Sequence, residues 1–127
     1  MKAPHTALVV DDSPFIRMSA TKLLKELGLA DVHSADNGRT GLEQFRLLHP
    51  DIVILDGVMP ETDGLEVLKE IKKERPKTVV IVSSSLSVRE KILEFKAAGA
   101  DHYLLKPYPP ERFKSLVQGA LSVLEES

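Results

Sequence analysis

The sequence predicts an α/β protein: a doubly wound, five-stranded parallel sheet with helices on both faces. Three observations carry that expectation. Apolar, partly β-branched runs stand at Thr6–Val10, Ile52–Leu55 and Val79–Val82. They lack in-out alternation, as strands covered on both faces do. Between them lie segments whose apolar residues recur at helical spacing. The two patterns alternate through five strand–helix units in 127 residues, which calls for parallel strands joined by helical crossovers. Right-handed crossovers leave only a few doubly wound orders.

Each unit has its own local signals. The first strand, Thr6 to Val10, ends in Asp11-Asp12. Ser13 is placed to cap the first helix and Pro14 to open it. Ile16, Ala20, Leu23, Leu24 and Leu27 form the helix's apolar stripe, and Gly28 stops it. Asp31 to Asp36 is more polar and reads as an edge strand. Asn37-Gly38 turns the chain into a second helix, marked by Leu42, Phe45 and Leu48, which ends before Pro50.

The third strand, Ile52 to Leu55, terminates in Asp56, and Gly57, Pro60 and Gly64 punctuate the loop that follows. A third helix runs from about Gly64 to Arg75 with Leu65, Leu68 and Ile71 inward, and Pro76 ends it. The fourth strand, Val79 to Val82, leads into Ser83-Ser84-Ser85. The fourth helix, Val88 to about Ala98, is expected to bury Val88, Ile92 and Phe95. Tyr103 to Leu105 is the fifth strand and runs into Lys106-Pro107. The last helix, from about Pro110, carries Phe113, Leu116, Val117, Ala120, Leu121 and Leu124 on one face.

The length suits one domain spanning residues 1–127. Charged residues are 28%, hydrophobic ones 43%, and the net charge is -2. No broad basic field invites direct nucleic acid binding. The absence of cysteine removes disulfides and thiolate chemistry and fits a reducing compartment. His5, His33, His49 and His102 lack the spacing of zinc ligands. No apolar run reaches membrane-spanning length, and the N-terminus lacks a signal-peptide core, so a cytoplasmic location is expected.

The strand ends carry the chemistry. In a parallel sheet Asp11-Asp12, Asp56, Ser83 and Lys106 all come to one edge, the edge where open α/β sheets bind ligands. Any one of them alone is an ordinary loop or cap residue; the joint pattern is not. Three carboxylates against one ammonium leave two negative charges in excess, which a divalent cation would neutralise. A donor set of oxygens alone suits Mg²⁺, or Mn²⁺, rather than zinc. A carboxylate beside such a cation can attack a phosphoryl group. Lys106 could then pair with the transferred oxygens, and Ser83 could donate a hydrogen bond to one.

These residues resemble the signature of the receiver domain of two-component response regulators. Asp11-Asp12 follows a hydrophobic strand. Asp56-x-x-Met59-Pro60-x-x-Asp63-Gly64 comes next, then a hydroxyl residue ending the fourth strand, then Lys106-Pro107. The likeness covers nearly the whole chain, most closely as a stand-alone chemotaxis-type regulator. It implies a flavodoxin-like strand order 2-1-3-4-5. It implies that Asp56 is the phosphoacceptor for a histidine kinase or phosphotransfer protein. Asp12, Asp56 and the backbone carbonyl of Val58 would ligate Mg²⁺, with Asp11 acting through metal-bound water. Lys106 would answer the phosphoryl group, Pro107 would follow a cis bond, and Ser83 and Tyr103 would be the switch pair. Ser84 is the alternative to Ser83, chosen as the first polar exit of the strand. Output would pass through the face of helix 4, strand 5 and helix 5 to a downstream protein, the next relay protein or a second copy.

Other functions are weaker readings. A small-molecule phosphatase or phosphotransferase of haloacid type needs a second Asp two residues after the first, where Val58 stands. A flavodoxin-like cofactor module needs a phosphate loop after the first strand, where Asp11-Asp12 would repel the phosphate. The chain is therefore expected to be a switch that catalyses only its own phosphoryl transfer and dephosphorylation. Met1 just before the first strand suggests a stand-alone protein, although a receiver cut from a longer chain would read the same.

Overall fold

The computed structural model describes residues 5–60 and 62–126; Met1, on which the stand-alone reading rests, lies outside them. The strands are β1 (Thr6–Val10), β2 (Asp31–Ala35), β3 (Ile52–Asp56), β4 (Val79–Ser84) and β5 (His102–Leu105). The helices are α1 (Pro14–Glu26), α2 (Gly38–Leu48), α3 (Gly64–Glu74), α4 (Arg89–Ala97) and α5 (Pro110–Glu126). All pairings within the five-stranded sheet are parallel, in the order β2-β1-β3-β4-β5. This is the expected flavodoxin-like order.

Strand alternation divides the core in two. Ala7, Val9, Ile52, Ile54, Ile81 and Leu104 pack beneath α1 and α5 with Leu24, Phe113 and Val117. Leu8, Val10, Val53, Leu55, Val80 and Val82 face the other way, against Phe45 of α2, Leu68 and Ile71 of α3, and Phe95 of α4. Every residue of β3 and β4 is buried, which is why those strands read as unbroken apolar runs.

The helix starts follow the expected chemistry. Ser13 Oγ accepts the Ile16 amide ahead of Pro14. Asn37 does more than turn the chain: its Oδ1 accepts the Thr40 amide at 2.8 Å and caps α2. Asp63 caps α3 through the Leu65 amide.

Three elements differ from expectation. Val88 is half exposed and precedes α4, because only Phe95 of that helix reaches the core fully. Residues Val58–Met59 pair antiparallel with Thr62–Asp63 in a small ribbon, where the sequence showed only loop punctuation. β4 continues through Ser83 and Ser84, both fully buried; sheet pairing to Leu104 and Leu105 satisfies their backbone.

Gly64 lets α3 start against the end of β3. A Cβ there would stand 2.6 Å from the Asp56 carbonyl oxygen and 2.8 Å from that of Gly57. Backbone cannot yield as a flexible side chain does. Gly64→Ala is expected to cost about 1–3 kcal/mol in urea unfolding. Gly119→Ala, in α5 with nothing within 4 Å of the added carbon, is expected to gain about 0.5–1 kcal/mol. Equal stability of the two variants would contradict this packing.

Candidate functional site

Asp56 is the last residue of β3 and is only 4% exposed. Its Oδ1 accepts the Val58 amide at 3.0 Å, so the turn after the strand holds the carboxylate in place. Asp11 follows β1, is buried, and accepts the Ser13 amide at 2.9 Å. The Arg17 guanidinium donates to the Asp11 carbonyl at 2.7 Å and pins that loop. Asp12 is exposed. Carboxylate oxygens of Asp11, Asp12 and Asp56 all lie within 4.8 Å of one another.

Lys106 enters from the end of β5. Its Nζ stands 2.9 Å from Asp11 Oδ2 and 3.6 Å from Asp56 Oδ1. Its backbone amide donates to the Ser84 carbonyl. Four of the residues singled out in the sequence thus meet at one point, and Val58 contributes its backbone beside them. The oxygen-only donor set and its uncompensated charge fit a hard divalent cation.

The charges perturb one another. Burial pushes Asp56 up to about 7; the Val58 amide opposes this, the Asp11 charge adds to it, and Lys106 works against it. Burial disfavours the Lys106 charge, but the hydrogen bond that Lys106 donates to Asp11 and the attraction of Asp56 outweigh it and hold its pKa above the ordinary value.

The serine assignment needs correction. Ser83 follows Val79 and Ile81 in strand parity, so it faces the α1–α5 side. Tyr103 lies on the other side with its ring centroid 5.8 Å from Phe95. Ser83 and Tyr103 therefore cannot form the expected switch pair. Ser84 is on the Tyr103 side: its side chain and the Phe95 ring are what a Cβ on Gly57 would meet, at 3.0–3.2 Å. Ser84 Oγ accepts the Leu86 amide at 3.1 Å, and Tyr103 donates to the Leu86 carbonyl at 2.7 Å. The two side chains thus meet on the loop after β4.

A cleft of about 180 Å³ opens beside Gly57, between the ribbon and α4, lined by Val58, Met59, Leu86, Lys91 and Phe95 among others. Neither Arg17 nor Leu86 carried a signal in the sequence, since a helix arginine and a loop leucine are unremarked until the fold places them.

A doubly wound sheet with an acidic, oxygen-lined pocket and a lysine at its carboxyl edge defines a class of proteins built for reversible phosphoryl chemistry. The response regulator receiver domain matches residues 7–118, and the chain belongs to that family. It is 37% identical to the chemotaxis protein CheY of Thermotoga maritima over 105 residues, 83% of this chain and 88% of that protein. It is 32% identical to the CheY of Bacillus subtilis, over 93% of this chain and 98% of the other. A solved CheY-like receiver domain protein from Methanospirillum hungatei superposes with a TM-score of 0.92 at 26% identity, covering 98% of both chains. The protein is thus a CheY-like, phosphorylation-dependent switch of two-component signalling. Neither geometry nor likeness favours a small-molecule phosphatase.

The raised Asp56 pKa sets a pH dependence. Folded, Asp56 holds its proton up to about pH 7, against an ordinary 3.8. The native state therefore binds more protons between those values, and stability falls as pH rises through that window. Asp56→Asn removes this loss. In EDTA at pH 8 the variant is expected to exceed wild type by on the order of 2 kcal/mol, with no advantage at pH 4. Thermal melts at both pH values check this; a variant no more stable at pH 8 contradicts it.

Proposed function

We propose that Asp56 is the phosphoacceptor, served by a sensor histidine kinase or a phosphotransfer protein. The observation that carries this reading is the buried Asp56 carboxylate, held by the Val58 amide with Lys106 Nζ 3.6 Å away. One Asp56 oxygen attacks phosphorus, the phosphorus–nitrogen bond of the donor phosphohistidine breaks, and the imidazole leaves with the electron pair. Asp12, Asp56 and the Val58 carbonyl would hold Mg²⁺, or Mn²⁺, with Asp11 supporting it through water. The cation, when bound, supplies charge neutralisation at the carboxylates and the phosphoryl oxygens.

The chain's own residues do the rest. Lys106 exchanges Asp11 for the new phosphoryl oxygens, a stronger set of acceptors. The Ser84 hydroxyl, in place of Ser83, donates to one of them. Ser84 then releases the loop that Tyr103 also holds through the Leu86 carbonyl. Output passes to α4, β5 and α5, where Val88, Leu93 and Leu105 present exposed apolar surface. A downstream protein, the next relay protein or a second copy docks there, without direct contact to nucleic acid. Among the described residues no helix is long and apolar enough to cross a membrane.

The test is covalent. Acetyl phosphate with Mg²⁺ is expected to add one phosphoryl group, located at Asp56 by borohydride trapping and tandem mass spectrometry. Asp56→Ala should abolish the adduct, and Ser84→Ala should slow its formation more than Ser83→Ala does. An adduct elsewhere in wild type, or an undiminished one in Asp56→Ala, overturns the reading.

A further inference from the structure

Arg17 brings a positive charge close to the acidic pocket, and among the described residues it forms no ion pair with Asp11, Asp12 or Asp56. Its Nη1 donates instead to the backbone carbonyl of Asp11 at 2.7 Å. That carbonyl belongs to the peptide bond joining Asp11 to Asp12. A peptide bond is planar, so the direction of its oxygen also sets the amide and the Cα of Asp12.

The rest of Asp11 is already anchored. Its amide donates to the Ala35 carbonyl at 3.1 Å, Oδ1 accepts the Ser13 amide at 2.9 Å, and Oδ2 accepts Lys106 Nζ. Asp12 comes next in the chain and is exposed, yet one of its oxygens lies within 4.8 Å of those of Asp11 and Asp56. Arg17 is thus the side chain that holds the plane from which Asp12 reaches the pocket. Its own base is rigid. Arg17 stands in the first turns of α1, its amide bonded to the Ser13 carbonyl at 3.0 Å, and that helix is seated in the core by Ala20, Leu23 and Leu24.

We propose that Arg17 is a positioning residue for the divalent cation: it aims the Asp12 carboxylate into the pocket and raises Mg²⁺ affinity in spite of its own like charge. This rests on the reading of Asp12 as a cation ligand. The two effects of Arg17 have opposite signs. Its charge repels a cation, but Arg17 is only partly buried, and solvent and salt screen that repulsion. Placement counts for more, because Mg²⁺ demands a near-ideal arrangement of its ligands. A lysine would keep the charge but carry it on a shorter stem, as a compact ammonium without the guanidinium's fork.

The test is calorimetric titration of Mg²⁺ into wild type, Arg17→Met, Arg17→Lys and Asn37→Ala, with the melting temperature of each in EDTA. Arg17→Met is expected to weaken Mg²⁺ binding about fivefold to tenfold, as loss of an outer support of a metal ligand does. Arg17→Lys should fall between Arg17→Met and wild type. Asn37→Ala removes the cap of α2; it should lower the melting temperature and leave the affinity unchanged. Acetyl phosphate should label Arg17→Met slowly at sub-saturating Mg²⁺ and at the wild-type rate once Mg²⁺ saturates. Binding as tight as wild type or tighter in Arg17→Met means that charge outweighs placement and overturns the proposal. So does equal weakening in Asn37→Ala, or a rate loss that persists at saturating Mg²⁺. Should Arg17→Met not fold, Arg17→Lys decides alone, and wild-type affinity in it overturns the role. Absence of Mg²⁺ binding in wild type overturns the metal reading itself.

Discussion

The crowding of three carboxylates at one sheet edge is the constraint on which this protein depends. Oxygens of Asp11, Asp12 and Asp56 converge within 4.8 Å, and Lys106 pairs with Asp11 and Asp56. Like charges at such range are unfavourable, most of all where burial limits water. The fold tolerates the cluster because the rest of the molecule is an ordinary, well-covered parallel sheet. Two apolar layers fix the strand ends. Backbone amides of Ser13 and Val58 hold two of the carboxylates in place.

Lys106 is the counter-charge of that arrangement. It is shared between Asp11 and Asp56 at unequal distances, 2.9 and 3.6 Å. A phosphoryl group on Asp56 would present a better partner without requiring the backbone to rearrange. Ser84 and Tyr103 meet on the loop after β4, on the α4 side. Ser83 and Tyr108 lie on the α5 side. Adjacent residues of one strand thereby address opposite faces of the sheet.

Much of this was legible in the sequence because burial on both faces leaves long apolar runs, and Asp56 interrupts one where packing gives no reason for a charge. Asp11, Asp12 and Lys106 were legible for the same reason, as polar ends of strands that parallel pairing brings to one edge. The sequence points to Ser83 because the apolar run ends at Val82, whereas the strand continues to Ser84. In a strand, one position exchanges one face for the other, and a run of three serines hides that step. Val88 misled because a helix with a single fully buried residue, Phe95, has little periodicity to locate its start. Tyr108 gave no signal: its stack on Phe113 is made only by the fold.

If charge crowding is the organising fact, cation binding must respond to the charges in opposite directions. Calorimetric titration of Mg²⁺ into wild type, Asp12→Asn, Asp56→Asn and Lys106→Met measures this directly. Asp12→Asn and Asp56→Asn are expected to weaken binding about tenfold or more, because each removes a ligand and a negative charge. Lys106→Met removes the competing ammonium and is expected to leave binding as tight or tighter. Weakening in Lys106→Met equal to that in Asp12→Asn, or no Mg²⁺ binding by wild type, would contradict the account.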